Sequence, residues 1–306
     1  MDRILVIRGG AIGDFILTLP SLKALRDARP DAHIEILGYK HIAVLAENRF
    51  YAQAVRSIEY GPLSSFFARN LALSTGLAGY FSNFDLIVSY LYDPDRIFEK
   101  NLCRCGVENL LCGPAKILET AGHAARQLAR PIEDLGIKVP NLSERVFPSA
   151  DDQQFARELL GSLQQPIIAI HPGSGGADKN WPLENWIGLF SRRDAFSIAE
   201  ETSRQTGNCF SLIVVSGEAD EAQTERLERE WKNRGVRFVK NLPLPHLAAV
   251  LERSIFIGHD SGISHLAAAA GANCILLFGL TAPNGRLANL KIEAVDAALA
   301  ATLRPC

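Results

Sequence analysis

Ile4-Leu5-Val6-Ile7-Arg8-Gly9-Gly10-Ala11-Ile12-Gly13-Asp14 is the stretch on which the fold turns. Four consecutive apolar residues closed by glycines read as a parallel strand covered on both faces, which needs no polar alternation. The following segment, Phe15 to Arg29, sets Leu17, Leu19, Leu22 and Leu25 on one side of a helix, with Pro20 tolerated near its start or at a kink. The alternation continues with a strand at His33–Leu37, a helix at Ile42–Asn48 and a strand at Asp85–Ser89. Turn residues then collect between Val139 and Ala150. Beyond them the pattern restarts with a helix near Gln153–Leu163 and strands at Pro166–Ile170 and Ser211–Val215. A charged helix at Asp220–Arg234, a strand at Val236–Val239 and a short helix at Leu247–Arg253 come next. A strand at Ile255–Ile257, a helix from Ile263 and a strand at Cys274–Phe278 close the series. Strand–helix alternation of this kind is the pattern of a wound parallel sheet. Here it predicts an α/β protein of two doubly wound, Rossmann-like domains, residues 1–145 and 146–306, facing a central cleft. Ligands would bind outside the carboxyl ends of the strands.

Composition narrows the function classes. The chain has 306 residues, 47% hydrophobic and 22% charged, which suits two globular domains. Lys and Arg total 32 against 34 Asp and Glu, so the basic surplus that a phosphate backbone demands is missing and nucleic acid is not expected as a partner. No apolar run approaches the ~20 residues that cross a bilayer, and the first residues lack a signal-peptide layout. Six cysteines, Cys103, Cys105, Cys112, Cys209, Cys274 and Cys306, are spread unevenly and do not form a disulfide framework; no His or fourth Cys completes a zinc site. A cytoplasmic protein with reduced thiols and no bound metal is expected.

Three loops at strand ends hold the unusual residues. In the first, the glycines are spaced G-G-x-x-G, and Asp14 occupies the helix start where a dinucleotide pyrophosphate would sit. A carboxylate is favourable there but repels phosphate. Asp14 therefore reads as a general base or as a helix cap, with Gly10 and Gly13 shaping the loop. The second loop, His171-Pro172-Gly173-Ser174-Gly175-Gly176-Ala177-Asp178-Lys179-Asn180-Trp181-Pro182, offers backbone N–H groups, a hydroxyl and an ammonium to anionic oxygens. It fits neither a Walker A loop nor a nucleophile elbow, and a flexible linker is the alternative. The third, His259-Asp260-Ser261-Gly262-Ile263-Ser264-His265, enters a helix whose start can hold a phosphate or sugar oxygen, with His265 a turn further on, either in reach of that ligand or structural. A weaker feature is Glu218 after the strand at 211–215, placed to accept ribose hydroxyls or to cap the next helix.

Together these segments resemble glycosyltransferase family 9, the heptosyltransferases of lipopolysaccharide core assembly. The family's G-x-x-G-D and T-x-P-x-L-x-x-L-R segments match Gly10-Ala11-Ile12-Gly13-Asp14 and Thr18 to Arg26. Its H-P-G-(S/A) loop ending in K-x-W-P matches His171 to Ser174 and Lys179 to Pro182. Its D-(S/T)-G-x-x-H-L-A-A-A signature matches Asp260 to Ala269. After Phe278-Gly279 the chain departs from the family's F-G-P-T-(D/N)-P and runs on without a further strand, so a shortened C-terminal domain is expected.

The resemblance implies a GT-B fold and an inverting, metal-independent transfer of a sugar, a heptose by analogy, from a nucleotide-sugar donor such as ADP-heptose. It makes Asp14 the base that deprotonates the acceptor. It assigns Ser174, Gly175, Lys179, Ser261 and Gly262 to the donor phosphates, and Glu218, Asp260 and His265 to the ribose and sugar. No separate cofactor and no obligate protein partner are implied. A lipid-linked or oligosaccharide acceptor would bring the protein to the inner membrane face, where Phe66, Phe67 and Phe81 could contact lipid if they are not core residues. Two other readings remain at this stage. One is a sugar-nucleotide binder without activity, for which Asp14 has no use; the other is an NAD-dependent oxidoreductase, for which G-x-G-x-x-G is missing.

Overall fold

A computed structural model of the protein describes residues 2–176, 179–191 and 210–278, so the expected C-terminal shortening lies outside the described residues. The chain divides into two compact units, Met1–Phe147 and Pro148–Cys306.

In the first unit the elements run β1 (Arg3–Arg8), α1 (Ile12–Ala28), β2 (His33–Gly38), α2 (Lys40–Ala43), β3 (Ala54–Ser57), a 3-10 helix (Gly61–Phe67) and α3 (Thr75–Ser82). They continue with β4 (Leu86–Ser89), α4 (Ile97–Arg104), β5 (Leu110–Cys112), a second 3-10 turn (Glu119–Ala121) and α5 (Ala124–Glu133). The five strands are parallel in the order β3-β2-β1-β4-β5. The chain lays β2 and β3 on one side of β1, then returns to lay β4 and β5 on the other. The winding thus reverses between β1 and β4, and a doubly wound sheet opens its ligand crevice at that point. Leu5, Ile7, Leu37, Phe66, Phe81 and Phe98 form the core on one face of this sheet. Phe66 and Phe81 are fully buried, which gives them to the core; Phe67 is 43% exposed and stacks on Phe98 with centroids 4.8 Å apart.

The helix expected at Ile42–Asn48 ends after Ala43. Asn48 takes a left-handed φ of 51°, and Arg49 Nη1 donates to the Val44 and Glu47 carbonyls at 2.9 and 2.8 Å, replacing the amides that a continuing helix would supply. Pro20 lies well inside α1, where it removes the donor that the Ile16 carbonyl would otherwise use.

The second unit repeats the plan. It runs α6 (Ala150–Leu160), β6 (Ile167–Ile170), α7 (Leu183–Ser191), β7 (Ser211–Ser216), a 3-10 turn (Glu218–Asp220), α8 (Glu221–Trp231) and β8 (Arg237–Lys240). Then come α9 (Leu244–Leu251), β9 (Ile255–His259), α10 (Gly262–Ala270) and β10 (Asn273–Leu277). α6 starts ahead of the expected Gln153 because Ser149 and Asp152 form a reciprocal cap: Asp152 N–H donates to Ser149 Oγ at 3.2 Å and Ser149 N–H to Asp152 Oδ2 at 2.7 Å. The parallel order is β10-β9-β6-β7-β8, so the winding reverses between β6 and β9. Ile168, Ile170, Val214 and Ile257 pack with Trp181 and Trp186 in the core of this unit. Trp181 directly follows the second glycine loop, so the loop's exit is anchored in that core.

Candidate active site

Each reversal of winding coincides with one of the loops singled out above. In the first unit, Gly9–Ala11 leaves the end of β1 and Asp14 sits in the first turn of α1. Asp14 Oδ2 accepts the Ala11 N–H at 2.9 Å, capping the helix, while its Oδ1 lies 3.6 Å from Arg8 Nη2. Its side chain is still 43% exposed, whereas that of Arg8 is 3% exposed. Arg8 also donates from Nη2 to the Asp14 carbonyl at 3.0 Å and lies over the Tyr90 ring, 5.8 Å from its centroid. Burial lowers the Arg8 guanidinium from its ordinary value, and Asp14 and Tyr90 oppose that fall. Gly10 has φ +98°, and a Cβ there would come within 2.7 Å of Asp14 Oδ2. The loop is thus built around one carboxylate, oriented by a helix start and a buried cation yet open to solvent. Cap and base are compatible here, because capping uses one oxygen and leaves the group accessible. Arg8, which the sequence reading passed over, is its orienting partner. Gly13 lies in the same first turn.

In the second unit the loop after β6 meets the loop after β9. Lys179 Nζ donates to Asp260 Oδ2 at 3.0 Å, with side chains 42% and 31% exposed. The ammonium and carboxylate are therefore brought together across 81 residues of sequence. Ser174 Oγ is occupied within its own loop: it donates to the Gly176 carbonyl at 2.9 Å. Gly175 is exposed at the loop tip. Ser261 is the N-cap of α10, its Oγ accepting the Ser264 N–H at 3.3 Å. The amides of Gly262 and Ile263, in the first turn, have no intrahelical acceptor and are the groups an anion would meet. His265 lies in the same turn, half-buried, its ring without a hydrogen bond among the described residues. Glu218 stands exposed at the end of β7, and the capping role is taken by Asp220, whose Oδ2 accepts the Gly217 N–H at 3.4 Å.

Behind these loops lies a buried network that the sequence reading did not identify. His171 Nε2 and Asp220 Oδ2 are 3.0 Å apart, with side chains 5% and 7% exposed. Burial pushes the Asp220 carboxyl up, but the His171 hydrogen bond and charge, with the Gly217 N–H, outweigh it and hold the group below its usual range. Gly173 has no room for a side chain, because a Cβ would overlap Asp220 Oδ1. His259, fully buried at the end of β9, accepts the Trp181 N–H on Nε2 at 2.9 Å, so Nδ1 carries its proton and faces the Gly173 carbonyl at 3.4 Å. Three chain segments, after β6, β7 and β9, are tied together by these side chains. The signal in sequence was only that His171 and His259 each end an apolar strand; Asp220 carried none.

Burial pushes the His259 imidazole down to about 4. The unfolded chain then binds this proton first as pH falls, so the contribution to stability is complete above about 6.5 and is lost as pH drops towards 4. The loss is roughly 3 kcal/mol, and the Asp220 contribution, held by a depressed carboxyl, disappears only at lower pH. Thermal unfolding between pH 7.5 and 4.5 is expected to show a falling Tm that is markedly flatter in His259→Gln. Equal slopes in the two proteins would remove His259 from the account.

Two wound parallel sheets in succession, each presenting polar loops at its switch point, are the architecture of the GT-B fold. The model for glycosyltransferase family 9 (heptosyltransferase) matches residues 121–288, more than half of the chain. The protein belongs to that family. Lipopolysaccharide heptosyltransferase 3 of Escherichia coli is 26% identical over 297 residues, covering 88% of this chain and 80% of the relative. Among solved structures, Escherichia coli ADP-heptose lipopolysaccharide heptosyltransferase II superposes with a TM-score of 0.74 at 14% identity, over 98% of each chain. Escherichia coli heptosyltransferase WaaC with ADP gives 0.68 at 18% identity, over 97% of this chain and 96% of that one. The family match spans the loops after β6, β7 and β9 but not the Asp14 loop.

Proposed function

We propose that this glycosyltransferase moves a heptose from ADP-heptose to a lipopolysaccharide-core acceptor, with inversion and without a metal ion. The observation that carries the reading is the Lys179–Asp260 pair at 3.0 Å, which ties a lysine to the residue just before the N-cap of α10. Relatives named for ADP-heptose and for lipopolysaccharide support the choice of donor and acceptor. The reaction is a single displacement: the acceptor oxygen bonds to the anomeric carbon as the bond to the diphosphate breaks. Asp14 accepts the proton that the acceptor hydroxyl loses. The diphosphate gains negative charge as it leaves, and Lys179, the Gly175 loop and the Gly262 amide are the groups offered to it. Ser174 and Ser261 are the hydroxyls offered to the diphosphate, their oxygens also bonded within the loop and the helix cap. Asp260 Oδ2 holds the lysine, leaving Oδ1 for a sugar hydroxyl; His265 is the second sugar contact, and Glu218 takes the ribose.

The donor set argues against a divalent ion. Mg²⁺ wants one or two carboxylates beside the phosphates; Asp260 is already paired through Oδ2 with Lys179, and Asp178, the other carboxylate of this loop, lies outside the described residues. Transfer is therefore expected to survive excess EDTA; loss with chelator and recovery with Mg²⁺ would make Asp260 a metal ligand. Lys179→Ala is expected to weaken ADP binding by about tenfold or more, the scale of a charge-assisted hydrogen bond, and to lower kcat further as charge develops. Calorimetry with ADP beside steady-state kinetics separates the two. The donor itself is tested by thermal shift with ADP, UDP, GDP and NAD: stabilisation by ADP above the others supports the reading, and stabilisation by NAD or UDP alone overturns it. The protein is expected to work in the cytoplasm, in contact with the inner membrane face; no described helix is long and apolar enough to cross a membrane.

A further inference from the structure

The first unit contains a cavity of about 500 Å³ apart from the Asp14 loop. It lies between the carboxyl ends of β2 and β3, the 3-10 helix and α3. Its floor is apolar and buried: Leu37 is 2% exposed, Val55 8% and Leu63 3%, with Leu77 on the α3 side. Its mouth is polar and charged, formed by exposed Lys40, Arg56 and Ser74 and by Tyr60, which is 57% exposed. The two cations at the mouth, Lys40 and Arg56, differ in their partners. Glu35, buried beneath the rim, is the acceptor for both Arg3 and Arg56, each at 3.2 Å, and for the Tyr80 hydroxyl at 3.2 Å. One carboxylate thus faces two guanidinium groups, and Lys40 has no carboxylate partner among the described residues. Arg56 is held rigid by its second contact, lying over the Tyr80 ring at 4.7 Å.

An apolar pocket of this size with convergent cations at its lip suits one kind of ligand. A free phosphate would leave the floor wet and unfilled, and a neutral apolar molecule would leave the cations unused. We propose that this pocket binds an acyl chain whose anionic headgroup rests between Lys40 and Arg56, and so anchors a lipid-borne acceptor. The inference rests on the acceptor being lipid-linked, and the position of the pocket suits that use. Strands lie about 4.8 Å apart, so the end of β3 is roughly 10 Å from the end of β1 and its Asp14 loop. Gly38, closing β2, already packs against the Arg8 carbonyl, where a Cβ would come within 2.6 Å. A sugar attached to the headgroup would therefore reach the carboxylate along one edge of the sheet.

The test is direct binding of lysophosphatidic acid below its micelle concentration, followed by calorimetry, with lysophosphatidylcholine and inorganic phosphate as comparison probes. Saturable one-to-one binding of lysophosphatidic acid is expected, with the zwitterionic lipid weaker and phosphate unable to compete. Lys40→Glu should weaken binding by about fivefold or more, the worth of a cation beside anionic headgroups. Leu77→Trp, at a half-exposed wall position, should fill the cavity and abolish binding while the protein still unfolds cooperatively. Undiminished binding to Leu77→Trp, equal affinity for the two lipids, or competition by phosphate alone would overturn the proposal. The assay contains neither sugar donor nor acceptor sugar, so its failure removes this pocket and leaves the transferase reading to be judged by transfer itself.

Discussion

Asp14→Asn is expected to reduce kcat by roughly 10²–10⁴, the usual contribution of a general base, while ADP affinity and Tm stay near wild type. The geometry makes this substitution unusually clean. An asparagine oxygen can still accept the Ala11 N–H that Asp14 Oδ2 takes at 2.9 Å, so the cap on α1 is kept. Arg8 retains its bonds to the residue-14 carbonyl, which is main chain. Only the ionised oxygen beside Arg8 is lost, and with it the capacity to accept a proton. Steady-state kinetics with Tm measured in parallel reads both outcomes. Wild-type turnover in Asp14→Asn would leave the residue as a helix cap and nothing more.

Gly173→Ala should do the converse, damaging structure and donor binding together. The added methyl would overlap Asp220 Oδ1, and the carboxylate cannot retreat without abandoning His171 at 3.0 Å. Forcing apart a buried pair of this kind costs about 3–5 kcal/mol, which in a domain of this size lowers Tm by on the order of 10 °C. The same displacement should pull the Gly173 carbonyl from His259 and loosen the loop that carries Lys179, so ADP affinity is expected to fall with Tm. Removing the obstruction gives an internal control: Gly173→Ala combined with Asp220→Ala should be less destabilised than the two single changes added together. Additive losses would mean that Gly173 and Asp220 do not compete for space.

The strands at the centre of each sheet were legible because burial on both faces leaves an uninterrupted apolar run, as in Ile4–Ile7 or Ile167–Ile170. The edge strands of the second sheet, β8 and β10, were legible too, but those of the first sheet were not. β3 reads Ala-Val-Arg-Ser and β5 Leu-Leu-Cys, short segments whose outer side is not paired and whose composition suits a loop equally well. α3, α4 and α5 were missed as well: α3 buries only Phe81, and α4 and α5 are short helices whose buried faces include polar or small residues, Asn101 in one and Ala125, Gln127 and Ala129 in the other, so no long run of large apolar side chains marks them. The site divides in the same way. Glycines, a lysine and carboxylates at strand ends announce themselves by spacing, so all three loops could be found. What holds the loops in place could not, because His171 with Asp220, His259 with Trp181 and Arg8 with Asp14 are pairings that only the folded chain assembles. Ser174 and Ser261 were legible as loop hydroxyls, but not their bonds within the loop and the helix cap.

The most direct measurement is a single transfer assay with ADP-heptose and an acyl-free core oligosaccharide acceptor, run in excess EDTA, with the product examined by NMR. The account predicts release of ADP in step with product, a new glycosidic bond of anomeric configuration opposite to that of the donor, and loss of both signals in Asp14→Asn. A product that retains the donor's configuration, or one formed at the same rate without the Asp14 carboxylate, would contradict it.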